Sequence, residues 1–221
     1  MKIGSFDIKP LLMYLPDDPK WVDEFEKAKE YLSGQGVDGI EYVAGVHGSS
    51  WGLSTTHQYL IDGRPEENYY IDSGKVGGTL TYFILYSIMN VLPDEYFLIL
   101  EGDVRFADGW KEKLEAALGA CNDFDFMFVG SCCTDNKEPI RIGESDVYEF
   151  DYKGEVKWNW YPMCGHAFIV NKKCVPFLIQ TQRDSGMPTD VMLIKNAFPK
   201  LKIVAILPRL ADQGEKTFLS P

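Results

Sequence analysis

An apolar segment that ends in two acidic residues is the feature that most constrains this chain. The segment reads YFLIL from Tyr96 to Leu100, and Glu101, Gly102 and Asp103 follow it directly. A short apolar run of this kind is typical of a buried β-strand. Open α/β sheets bind their ligands beyond the carboxyl ends of such strands. The segment therefore predicts an α/β fold with two carboxylates at its ligand-binding edge.

Glu101 and Asp103 are the predicted metal ligands. Alternate residues of a strand point to the same side, so we expect the two carboxylates to project together just past the strand. Two oxygen donors suit Mg²⁺ or Mn²⁺, which can also bind the oxygens of a nucleotide diphosphate. A solvated acidic turn without a ligand is the alternative, and the rest of the chain must decide between them.

Strand-like and helix-like segments alternate along the chain. This order predicts a mostly parallel sheet flanked by helices, as in Rossmann-like folds. Strands are expected at residues 10–15, 40–46, 96–100, 124–129, 167–170 and 201–207, and helices at 20–32, 76–91, 109–120, 173–182 and 189–198. A small β-rich excursion is expected at 147–150 and 156–160, where the intervening residues have the composition of a hairpin turn.

Length and charge exclude several classes of protein. The 221 residues, 45% of them hydrophobic, are enough for one large domain, which we expect to span 1–221. The formal net charge of −11 argues against a general nucleic-acid-binding surface. The sequence has no long uncharged apolar run and no secretory signal pattern, so we expect no membrane span and a cytoplasmic location. Its five cysteines have no paired metal-ligand spacing, which predicts reduced thiols.

Five separated motifs occur in a fixed order. They read GKVGGTLTY at 74–82, LILEGDVRF at 98–106, GHAFIV at 165–170, PTD at 188–190 and PRLADQ at 208–213. Together they resemble the motifs of GT-A glycosyltransferases, most closely those of family 25, which includes lipopolysaccharide and collagen galactosyl- and glucosyltransferases. Two motifs depart from that family, because Glu-Gly-Asp replaces Glu-Asp-Asp and Thr81-Tyr82 replaces Ser-His. The resemblance implies a single-domain GT-A fold and a metal-dependent, nucleotide-sugar-dependent glycosyltransferase.

The resemblance also implies the reaction. A sugar would pass from a nucleoside-diphosphate donor, with a UDP-sugar expected, to a hydroxyl acceptor with inversion. Asp190 of the PTD motif would be the general base, although it could instead be a first-turn acid stabilised by the helix dipole. Gly102 replaces an acid that often contacts the donor, and it would therefore alter the preference for the sugar.

The donor is expected at the end of the first strand, around Tyr14, Leu15 and Pro16. Lys75 is expected to approach the diphosphate, with a solvated lysine at a helix start as the alternative. His166 could complete the metal or diphosphate site, or it could be a satisfied histidine near the core. By this resemblance the donor half of the domain spans about 1–105 and the acceptor half about 106–221.

The acceptor is less constrained by the sequence. Trp158 and Trp160 could stack on the acceptor, or they could belong to the core of the hairpin. A glycan, a protein or a modified base is the expected acceptor class. A catalytically silent GT-A-like module that binds a glycan or a nucleotide is the alternative function. A sugar nucleotidyltransferase is disfavoured, because the first strand has no glycine-rich basic phosphate loop after it.

Overall fold

The computed structural model describes residues 1–16, 19–48, 73–132, 139–153, 162–185 and 187–214. The strands are β1 (Lys2–Ile3), β2 (Phe6–Tyr14), β3 (Glu41–Ala44), β4 (Tyr96–Leu100), β5 (Val104–Phe106), β6 (Phe126–Cys132), β7 (Ile140–Arg141), β8 (Val147–Phe150), β9 (Met163–Asn171), β10 (Ile203–Ile206) and β11 (Ala211–Gln213). The α-helices are α1 (Pro19–Gly34), α2 (Ser73–Val91), α3 (Trp110–Ala120), α4 (Val175–Ser185) and α5 (Thr189–Met192).

Nine of these strands form one mixed sheet in the order β1-β2-β4-β9-β6-β10-β8-β7, and β3 also pairs with β2. The pairs β2–β3, β2–β4 and β6–β10 are parallel. Strand β9 runs antiparallel between β4 and β6. Within the described sheet, β2, β3, β4, β6, β7 and β10 therefore point one way, and β1, β8 and β9 point the other way. The predicted α/β class with a mainly parallel sheet is confirmed.

The alternation of side chains along β4 divides the core into two layers. Phe97 and Ile99 face the layer that α2 and α4 cover, whereas Leu98 and Leu100 face the layer covered by α1 and α3. All four side chains are fully buried. Strand β4 is thus held between β2 and β9 and covered on both faces, which fixes the position at which its carboxyl end leaves the sheet.

The predicted elements agree with the structure in type, but their boundaries and one helix differ. The helix expected at 189–198 is instead the single turn α5, a π-helical turn over Leu193–Ala197 and a 3₁₀ turn over Phe198–Lys200. Strand β8 confirms the first half of the β-rich excursion, and it joins the main sheet by pairing with β7 and β10. The strand expected at 156–160 lies outside the described residues.

Two further expectations concern cysteines and membranes. Cys121 and Cys174 are buried free thiols, as the cysteine spacing predicted. None of the helices in the described ranges is both long enough and apolar enough to cross a bilayer.

The first turns of α2 lie directly against the backbone that follows β3. A Cβ atom on Gly77 would lie 2.4 Å from the Val46 carbonyl oxygen and 2.7 Å from the Gly48 nitrogen. Both are backbone atoms, which cannot give way as the end of a side chain can. Thr81 completes this contact, because its hydroxyl donates to the Gly77 carbonyl at 2.9 Å and accepts from the Val46 N–H at 2.9 Å.

Gly77→Ala is expected to destabilise the protein, because the added methyl group separates α2 from the chain after β3. The expected loss is about 2 kcal/mol of unfolding free energy, within the range for an overpacked site. Gly78 gives a matched control on the same helix, since a Cβ there meets none of the described atoms within 4 Å. Gly78→Ala should therefore gain about 0.5 to 1 kcal/mol from helix propensity. Urea unfolding of both variants measures the difference, and equal effects would refute the contact.

Candidate active site

A cavity of about 220 Å³ opens where β4 ends. Its walls come from the first turns of α2, from Glu101, from β6 and β9, and from residues 188–198. Lys75, Gly78 and Asp190 are exposed and form its mouth, while the buried aromatic and aliphatic side chains form its interior. Three residues that the sequence singled out line it together: Lys75, Glu101 and Asp190.

Glu101 extends the ladder between β4 and β9 by one hydrogen bond. Its backbone N–H donates to the His166 carbonyl at 3.1 Å. Its carboxylate is a hydrogen-bond partner of the Tyr82 hydroxyl and the Gln213 side chain. Burial and, to a smaller extent, the charge of Asp103 raise the pKa of Glu101 to about 7, against the opposing effect of the two hydrogen bonds. The Glu101 side chain can therefore change its protonation state near neutral pH.

Asp103 is less exposed to solvent than Glu101, with an exposed fraction of 5%. Its Oδ1 atom is buried without a hydrogen-bond partner among the described residues. Burial raises the pKa of Asp103, while a backbone hydrogen bond and the Arg105 guanidinium oppose the rise. An unpartnered buried carboxylate oxygen has a large free-energy cost, which a bound cation or donor would remove.

The two carboxylates come together in a different way from the one the sequence suggested. Strand β4 ends at Leu100, and the next residues form a turn in which the Val104 N–H donates to the Glu101 carbonyl at 3.2 Å. Strand alternation therefore does not align Glu101 with Asp103. The turn keeps them close enough for the charge of one to raise the pKa of the other.

A divalent cation fits this pair if a substrate supplies the remaining ligands. Among the described residues, no group of three or more histidine, cysteine or acidic side chains could hold a metal ion. Mg²⁺, however, is commonly bound by one or two carboxylates together with substrate phosphates. The unpartnered Oδ1 atom of Asp103 and the neighbouring Glu101 carboxylate are oxygen donors of this type. They fit Mg²⁺ or Mn²⁺ accompanied by a diphosphate.

The contact between Tyr82 and Glu101 was not predicted from the sequence. Tyr82 stood out only as a departure from the histidine of the resembled family. In the structure, its hydroxyl bonds to Glu101, and burial together with the charges of Glu101 and Asp190 raises its pKa well above the ordinary value. A Cβ on Gly165 would lie 2.3 Å from this hydroxyl, so the glycine of the GHAFIV motif makes room for Tyr82.

Asp190 lies in the first turn of α5 and is exposed. Its Oδ1 atom accepts a hydrogen bond from the Val191 N–H at 2.9 Å. The fold places it at the same cavity as Glu101, near enough to Tyr82 for its charge to raise the pKa of the tyrosine. The candidate base and one candidate metal ligand, which come from distant parts of the sequence, therefore meet at one site.

His166 lies beside Glu101 but does not line the cavity. The residue is 1% exposed, and its Nε2 atom lies 3.3 Å from the Ala211 carbonyl oxygen. Burial lowers the pKa of His166, so the neutral ring is favoured. Its Nδ1 atom is buried without a hydrogen-bond partner in the described part of the chain. The predicted role of His166 at the metal or diphosphate stays a prediction.

The other described candidates for donor binding, Gly102 and residues 14–16, are not among the residues that line the cavity. Gly102 is half-buried, and a Cβ there would meet nothing within 4 Å in the part of the chain that the structure describes. Tyr14 ends β2 at the same carboxyl edge as Glu101, where its ring stacks on Phe25 with the ring centroids 4.3 Å apart. Leu15 and Pro16 follow it. The predicted contact of Tyr14, Leu15 and Pro16 with a nucleotide stays a prediction.

The two residues predicted to bind the acceptor, Trp158 and Trp160, lie outside the described residues.

Comparison with solved structures identifies the type of fold. One similar structure is a glycosyltransferase involved in the glycosylation of the major capsid of PBCV-1, with a TM-score of 0.51, 12% identity, and coverage of 96% of this chain and 94% of that one. Another is the inositol-1-phosphate CTP transferase from T. maritima, with a TM-score of 0.50, 14% identity, and coverage of 97% and 91%. At such low identity the likeness concerns the fold alone. The chain has the α/β fold shared by GT-A glycosyltransferases and nucleotidyltransferases.

No protein-family model matches the chain, and no curated protein sequence matches it. The solved structures thus confirm the type of fold that GT-A glycosyltransferases and nucleotidyltransferases share, whereas the closer resemblance to family 25 stays a prediction.

Glu101→Gln is expected to stabilise the protein in metal-free buffer at pH 8. Because the folded-state pKa of Glu101 lies near 7, above the ordinary 4.5, the native state holds more protons than the unfolded state between these values. The stability contributed by the protonated Glu101 is thus lost as the pH rises through this interval. A neutral glutamine avoids the loss, which is about 3 kcal/mol at roughly 1.4 kcal/mol per pKa unit.

Urea unfolding at pH 5 and pH 8 with a chelator present measures this effect. The advantage of Glu101→Gln should be small at pH 5 and large at pH 8. Glu30→Gln, at an exposed position of α1, is the matched control for the removal of one carboxylate. An advantage of the same size at both pH values would mean that the charge of Glu101 is not the cause.

Proposed function

We propose that this protein is a metal-dependent glycosyltransferase that transfers a sugar from a nucleoside-diphosphate donor to a hydroxyl acceptor. The observation that carries the proposal is that Glu101 and Asp190 line one cavity at the carboxyl end of β4. A carboxylate for a metal and a second carboxylate for the acceptor proton are the two groups that an inverting transfer requires.

The metal role falls to Glu101 and Asp103. Mn²⁺ or Mg²⁺ on these carboxylates would offset the negative charge that develops on the departing diphosphate. The unpartnered Oδ1 atom of Asp103 supports this role, because it lacks a partner that a cation would provide. Lys75, at the mouth of the cavity, is a further cation for the diphosphate. Residues 14–16, at the same edge of the sheet, would contact the nucleotide, for which uridine is expected.

Asp190 would act as the general base. The acceptor oxygen attacks the anomeric carbon of the donor sugar, and the bond from that carbon to the diphosphate oxygen breaks with its electron pair. The acceptor proton passes to Asp190, and the nucleoside diphosphate leaves. One oxygen of Asp190 already accepts the Val191 N–H, which orients the carboxylate and leaves its second oxygen for the proton. A single displacement of this kind inverts the anomeric centre.

Loss of a metal-binding carboxylate and loss of the general base should cause different defects. A panel of nucleotide sugars is incubated with and without Mn²⁺, and release of nucleoside diphosphate is measured with water in place of the acceptor. Asp103→Asn should lose metal-dependent donor binding together with turnover. Asp190→Asn should keep donor binding and lose turnover by about 10² to 10⁴, the usual contribution of a general base. Asp108→Asn, at an exposed position, is the control.

Two outcomes would contradict the proposal. Binding of a donor that is unaffected by Mn²⁺, with no turnover in any condition, would favour the silent binding module. Release of pyrophosphate from a nucleoside triphosphate and a sugar phosphate would identify a nucleotidyltransferase instead.

A further inference from the structure

The interior of the cavity is apolar, which is unusual for a surface that would hold a sugar. Two of its side chains lie on β6, one lies on β9, and three lie in the segment after α5. They are Phe126, Phe128, Phe168, Leu193, Ile194 and Phe198, which we call the apolar floor. Each of them is at most 9% exposed.

The aromatic rings of the apolar floor form a layered surface. Phe126 stacks on Phe168 with ring centroids 4.5 Å apart and an angle of 14° between the ring planes. Phe198 meets Phe126 edge to face, with centroids 5.1 Å apart. A flat ring could extend this arrangement, because aromatic groups pack well in stacked and edge-to-face contacts.

The hydroxyl groups that line the cavity already have partners. Thr79 donates to the Lys75 carbonyl at 2.8 Å, and Thr189 donates to the Gln182 side-chain oxygen at 2.9 Å. The Tyr82 hydroxyl bonds to Glu101. One oxygen of the Asp190 carboxylate accepts the Val191 N–H, so its other oxygen is the acceptor for a ligand hydroxyl group. A ligand at this position can place one or two hydroxyl groups at the mouth, whereas hydroxyl groups on the apolar floor would lose their hydrogen bonds to water.

The size of the cavity matches a single substituted ring. An apolar cavity of about 150 Å³ is large enough to bind benzene, and this cavity has about 220 Å³. Leu193 and Ile194 follow Asp190 by three and four residues, so they lie on the same side of the helical segment. A ring that contacts these two side chains would have its substituent close to Asp190.

We infer that the cavity receives the aromatic ring of an aryl alcohol acceptor, with the hydroxyl group of the acceptor directed to Asp190. This inference rests on the proposed transferase function and names its acceptor class. A free sugar or another polyol is a poor fit, because most of its hydroxyl groups would face the apolar floor without partners.

Direct binding tests this inference without a donor or a metal. Saturation-transfer NMR is recorded with benzyl alcohol as the aryl probe and with myo-inositol as the polyol probe. Benzyl alcohol should bind and myo-inositol should not. Gly78 lies at the cavity, and a Cβ there meets no atom of the described residues within 4 Å, so Gly78→Leu should narrow the mouth and weaken benzyl alcohol binding by about tenfold or more. Gly119→Leu, at an open position of α3 outside the cavity, should leave binding unchanged.

The outcomes separate this inference from the proposed function. Preferential binding of myo-inositol, or benzyl alcohol binding that Gly78→Leu and Gly119→Leu affect equally, would overturn the inference even if donor hydrolysis is metal-dependent. Thermal unfolding of both variants confirms that they are folded. If Mn²⁺-dependent release of nucleoside diphosphate accelerates when benzyl alcohol is added, and Gly78→Leu abolishes this acceleration whereas Gly119→Leu keeps it, the acceptor class is established. Binding of benzyl alcohol without any donor turnover would support the pocket and contradict the transferase.

Discussion

The arrangement of the site depends on the hydrogen-bonded position of β4 between β2 and β9. The ladder with β9 runs from Tyr96 to Leu100, and the Glu101 N–H extends it to the His166 carbonyl. Because β4 is hydrogen-bonded along both edges and its side chains from Phe97 to Leu100 are fully buried, the position of its carboxyl end is fixed. The acidic turn is therefore held in place by a rigid strand, and this rigidity lets two carboxylates stay close despite their repulsion.

The sequence predicts best what local patterns determine. The apolar run before Glu101, the long apolar helix α2 and the alternation of strands with helices were all predicted in type. The antiparallel insertion of β9 between β4 and β6 was not predicted, because pairing of strands distant in sequence leaves no local signature. The π-helical turn at Leu193–Ala197 has the same helix-like pattern as an α-helix, so periodicity alone could not detect it.

The candidate site was predicted in part for the same reason. Glu101, Asp103 and Asp190 were identified from motifs, and the fold brings Glu101 and Asp190 to one cavity. The contact of Tyr82 with Glu101 could not be predicted, because it joins a helix to a strand end that lies beyond it in sequence. Its only signal was the unusual tyrosine in the motif, and the space for its hydroxyl depends on Gly165, far along the chain.

Buried acids at the end of β4 make the site costly for folding and favourable for binding. Burial raises the pKa of both Glu101 and Asp103, which means that their charged forms lack the solvation that water would give. A cation with a diphosphate would supply the missing interactions, so the two ligands should bind cooperatively. The most direct measurement is the affinity of the protein for Mn²⁺, which electron paramagnetic resonance detects, in the presence and in the absence of UDP. UDP should strengthen Mn²⁺ binding in the wild type and not in Asp103→Asn. Equal Mn²⁺ affinity of the two proteins, with and without UDP, would contradict a shared site for the cation and the diphosphate.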